Sequence, residues 1–83
     1  MSLAHQIKQI LLQEWDPVEI KNIQQAQDEY DSYLAHITQL LQSQASQSAI
    51  ALALVQAEVD MGLKANQSRA NMVAENLLLI HSL

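Results

Sequence analysis

The stretch SQSAIALALVQAEVDMG, residues 46–62, decides the fold. It opens on Ser46, whose hydroxyl can accept from an unpaired backbone N–H at a helix start. It closes on Gly62, the single glycine of the chain, the residue type suited to the left-handed turn that ends a helix. The residues between are strong or moderate helix formers, and they are apolar on two sides. Ile50, Leu54, Ala57 and Met61 fall within about 60° of one another at 100° per residue, while Leu52, Val55 and Val59 cluster opposite. A helix of this kind is normally buried all round. In a chain of 83 residues that is hard to achieve within one subunit. Pairing of two copies through this helix is therefore expected.

Working outward, three further helices follow from the same periodicity. Downstream, Asn66 is a cap for a helix running to about His81, with Ala70, Val73, Ala74, Leu77 and Ile80 as its core face. Met72 and Leu79 form a second, smaller stripe that points toward a partner. Upstream, a helix from about Asp28 to Gln44 carries Tyr30, Tyr33, Leu34, Ile37, Leu40 and Leu41 as its apolar set. Near the N-terminus, Leu3, Ile7, Ile10, Leu11 and Glu14 share one side of a helix that Ser2 can cap. Pro17 should end it, because the residue before a proline is pushed out of the helical region. Residues 18–27 are the least periodic and read as a connection. Short loops make neighbouring helices antiparallel. The expected fold is all-α: a small four-helix up-and-down bundle, one domain over residues 1–83, that dimerises.

Composition bounds function. Apolar residues make up 49% of the chain, and there is no cysteine, so neither disulfides nor thiolate metal sites can support a small core. Four basic residues stand against nine acidic ones, a formal net charge of −5. That balance disfavours nucleic acid, whose binding depends on basic contacts that release counterions, and anionic membranes. No apolar run reaches the roughly 18 residues of a membrane span. The first residues lack the pattern of a secretory signal, so the expected location is cytoplasmic.

Chemistry-bearing residues concentrate at the joint of the first two helices, in Trp15-Asp16-Pro17 and Asp28-Glu29-Tyr30-Asp31. Asp28 and Asp31 are three apart, hence on one helical face. With Asp16 brought near, three carboxylates could converge on a hard cation such as Mg²⁺. The structural reading is that Asp28 caps the second helix, Glu29 and Asp31 meet its positive end, and Asp16 accepts bonds in a turn. Trp15 reads as a plug at the core edge whose indole N–H needs a polar partner, and the tyrosine hydroxyls reach water or Asp16. His5, His36 and His81 have no partner at metal-ligand spacing on their own helices and read as exposed or weakly packed. There is no Gly-x-Ser-x-Gly elbow, and one glycine cannot build a phosphate loop.

The segments Ile10 to Pro17, Asp28 to Asp31 and Ile37 to Leu41 resemble the YugE-like family of small bacterial helical proteins. That family carries Ile-x-x-x-Trp-Asp-Pro, Asp-Glu-Tyr-Asp and Ile-x-x-Leu-Leu stretches in this order; here four residues rather than three separate Ile10 from Trp15. Met61-Gly62 and the region from Ala74 to Ile80 fit its general pattern. Val18-Glu19 departs from the Ile-Gly that often follows Trp-Asp-Pro, so the turn after Pro17 can differ. The resemblance implies a compact helical fold and brings no cofactor or catalytic residue.

The expected function is non-enzymatic: protein–protein interaction as a homodimer, through Leu52, Val55, Val59, Met72 and Leu79. Two alternatives stand beside it. One is a divalent-metal-dependent enzyme using Asp16, Asp28 and Asp31. The other is an acidic inhibitor of the antitoxin or immunity type that neutralises a basic partner. No cofactor is expected.

Overall fold

The computed structural model describes residues 3–16, 23 and 30–81. Among these residues four helices follow in order: α1 (Leu3–Ile10), continued by a wider turn over Leu11–Trp15, then α2 (Asp31–Gln42), α3 (Gln47–Asp60) and α4 (Gln67–His81). Helix α1 packs on α2 and α4, and α3 packs on the same two helices from the other side. Closed in this way, the four make an up-and-down bundle around one core.

Both hairpin turns are built by the same device. After α3 the Gly62 N–H donates to the Val59 carbonyl at 2.9 Å and the Leu63 N–H to Glu58 at 3.0 Å. These are the two bonds of a Schellman closure, which satisfies carbonyls that the helix end leaves unpaired. Gly62 sits at φ 79°, where a glycine carries no Cβ penalty. After α2 the same pair of bonds runs from Gln44 to Leu41 at 3.1 Å and from Ala45 to Leu40 at 2.9 Å. Here the left-handed residue is Gln44, at φ 62°.

The following helices start on side-chain caps. Ser46 Oγ accepts from the Ala49 N–H at 3.2 Å, and Asn66 Oδ1 from the Arg69 N–H at 3.0 Å. Both caps stand where the sequence places them. Pro17, Asp28, Glu29 and most of the expected connection lie outside the described residues, as does the Ser2 cap.

Core-facing positions match the periodicity closely in α3 and α4. Ile50, Leu54 and Ala57 are buried, as are Ala70, Val73, Ala74 and Leu77, while Met61 and Ile80 are half-buried. The first helix departs from its wheel. The Asp16 N–H donates to the Leu11 carbonyl five residues back, at 2.8 Å, so the last turn holds one more residue than an α-turn. That widening brings Leu11, Leu12 and Trp15 together into the core. Leu12, which an ideal helix would turn outward, is buried, and Glu14 is exposed.

Candidate functional site

The wide turn delivers Trp15 into the centre of the molecule. Its side chain is fully buried, and its indole Nε1–H donates to Glu58 Oε1 at 2.9 Å. Glu58 follows Leu54 by one turn on the inward side of α3 and is itself fully buried. Its second oxygen, Oε2, accepts from the Asn66 backbone N–H at 2.9 Å, just before α4 begins. Arg69 Nη2 stands 3.9 Å from Oε1. One carboxylate thus ties together the end of the first helical segment, the last turn of α3 and the start of α4. A buried acid is tolerated when donors meet its oxygens, and here both are met.

A second buried carboxylate closes the same region. Asp16 takes the left-handed conformation, φ 32°, ψ 59°, immediately after the wide turn. Its Oδ1 accepts from the Tyr30 hydroxyl at 2.9 Å, and both residues are buried. The Trp15 and Tyr30 rings lie 5.2 Å apart at a tilt of 54°, and Tyr33 meets Trp15 edge-on at 6.3 Å and 81°. Tilted and edge-on pairs at these separations are favourable ring geometries. Trp15 is a core plug with a polar partner, as its position in the sequence suggests. The partner, Glu58, is a residue the sequence reading passed over.

The three aspartates named as cation ligands are placed as follows. Asp16 is bonded to Tyr30, and Asp31 Oδ1 lies 3.3 Å from Lys8 Nζ, at the start of α2. Asp28 lies outside the described residues. Among the described residues no group of three or more His, Cys, Asp or Glu side chains is arranged to hold a metal ion. His5 and His36 are exposed.

A second group of apolar residues faces outward. Leu52 is 64% exposed, Val59 52%, Met72 49% and Leu79 57%, with Val55 half-buried between the first two. Apolar side chains this open are unremarkable singly. Leu52, Val55 and Val59, however, share one side of α3, opposite the buried Leu54. Met72 and Leu79, seven apart, share the outer side of α4.

The chain matches no family model, and no curated protein or solved structure proves similar to it. No helix among the described residues is long and apolar enough to cross a membrane.

Proposed function

We propose that this protein works by protein–protein interaction and that its first partner is a second copy of itself, joined through the outer side of α3. The observation that carries this reading is the seam of Leu52, Val55 and Val59, with spacings of three and four residues. That is the a/d repeat by which one helix inserts side chains into the gaps of another. Ser48 extends it by one turn toward the helix start.

Charge supports a copy of the same chain as the occupant. A protein of net charge −5 repels itself in general. Yet the only exposed charged side chain on α3 is Asp60, at its last turn. Two copies can bring this side together with little like-charge opposition. Met72 and Leu79 on α4 enlarge the apolar surface such a contact can cover, in the isologous arrangement usual for homodimers.

Sedimentation equilibrium over a wide concentration range tests the proposal. A reversible dimer is expected. A species that remains monomeric into the millimolar range would remove it.

A further inference from the structure

Between α2 and α3 lies an open groove of about 190 Å³, lined by Tyr33, His36, Ala53, Gln56, Ala57 and Asp60. It exists because Ala53 and Ala57, one turn apart on α3, offer α2 only methyl groups. Larger side chains there would fill the space. The floor is therefore apolar and the rim polar, the usual composition of a small-molecule site.

The rim groups are idle. Among the described residues Asp16, Asp31, Glu14 and Glu58 each have a hydrogen-bond or ion-pair partner. Asp60 has none, nor has Glu75 on α4 away from the groove, and neither the Tyr33 hydroxyl, the His36 ring nor the Gln56 amide makes a side-chain hydrogen bond. Four uncommitted polar groups thus surround one apolar recess. The Tyr33 ring is held in place from behind by its edge contact with Trp15.

We propose that this groove binds an alkylammonium or alkylguanidinium group. Asp60 supplies the opposite charge, and the Tyr33 ring supplies an aromatic surface of the kind that attracts cations. The Gln56 carbonyl and the Tyr33 hydroxyl accept the remaining N–H bonds, and the alanine floor takes the alkyl arm. The acidic balance of the whole chain draws cations toward it. Size sets the ligand class. The space equals roughly six water volumes, below the about 300 Å³ of sites that hold drug-sized molecules. One cationic head on a short arm fits. The inference is independent of self-association, since it concerns the side of α3 that faces α2.

Nuclear magnetic resonance titration of the full chain with n-butylammonium and with ethylguanidinium tests it, with n-butanol as the neutral comparator. Saturable shifts of the His36 and Tyr33 ring signals are expected, with dissociation constants on the order of millimolar for so few atoms. Butanol should leave them unmoved. Asp60→Asn should weaken binding at least tenfold, and it should fold, because it removes a negative charge from a helix C-terminus. A doubly capped arginine identifies the source. If it binds as well as ethylguanidinium, a protein side chain is the natural ligand, and if only the free cations bind, a small amine is. No saturable shift with either cation would overturn the proposal, and so would equal affinity in Asp60→Asn.

Discussion

Trp15 and Glu58, 43 positions apart in the chain, meet in the core through one hydrogen bond of 2.9 Å. The bond is short of alternatives, because the indole has one donor and no other buried acceptor is paired with it. Glu58 is more heavily used, since its two oxygens serve two different donors.

Glu58→Gln probes that double use. The amide keeps one accepting oxygen but turns an NH₂ toward the other donor, so either Trp15 Nε1–H or the Asn66 N–H loses its partner. Leaving a buried donor unsatisfied costs about 1–3 kcal/mol. Urea unfolding followed by circular dichroism should show a loss in that range. A double-mutant cycle with Trp15→Phe should give less than additive losses, as expected for residues in direct contact.

Asp16 and Tyr30 separate backbone strain from hydrogen bonding. Asn tolerates the left-handed conformation and keeps an accepting oxygen, so Asp16→Asn should cost under about 1 kcal/mol. Asp16→Ala loses both features and strands the buried Tyr30 hydroxyl, for about 2–3 kcal/mol. Thermal unfolding of the two variants side by side checks the order. Equal losses would contradict it.

Gln44 offers a gain. It holds the left-handed position of the α2 closure that Gly62 holds after α3. Gln44→Gly should raise stability by about 0.5–1 kcal/mol, the relief of the Cβ clash less the added freedom of the unfolded chain. Chemical denaturation midpoints read this directly.

Val59→Glu tests the apolar seam without touching the core. It should weaken self-association at least tenfold in sedimentation equilibrium, while folding stability stays within about 0.5 kcal/mol, the usual range for open positions.

The Lys8–Asp31 pair, by contrast, should matter little. Both side chains are substantially solvated, and such pairs contribute about 0–1 kcal/mol. Lys8→Ala should lower stability by no more than that, and the difference should shrink as salt is raised.

Most of the architecture can be read from residue order, because α3 and α4 begin on Ser46 and Asn66 caps, and α3 closes on Gly62. Each is a local signal with a local cause. The two-sided character of α3 was equally plain, from Leu54 and Ile50 inward to Leu52 and Val59 outward. Leu12 was not, because a period of 3.6 residues cannot anticipate a turn widened by one. Nor was Glu58, although a trace of it exists: it follows Leu54 by four on the inward side, in a chain whose lone indole needed an acceptor. The groove was invisible in sequence, since it depends on how far α2 stands from Ala53 and Ala57.

The burial of Trp15 against Glu58 also makes the molecule self-reporting. It is the only tryptophan of the chain, so all indole fluorescence arises from one place. That place is where the first helical segment rests on α3. Emission wavelength and quenching therefore follow the docking of that segment, with no attached dye and no competing signal.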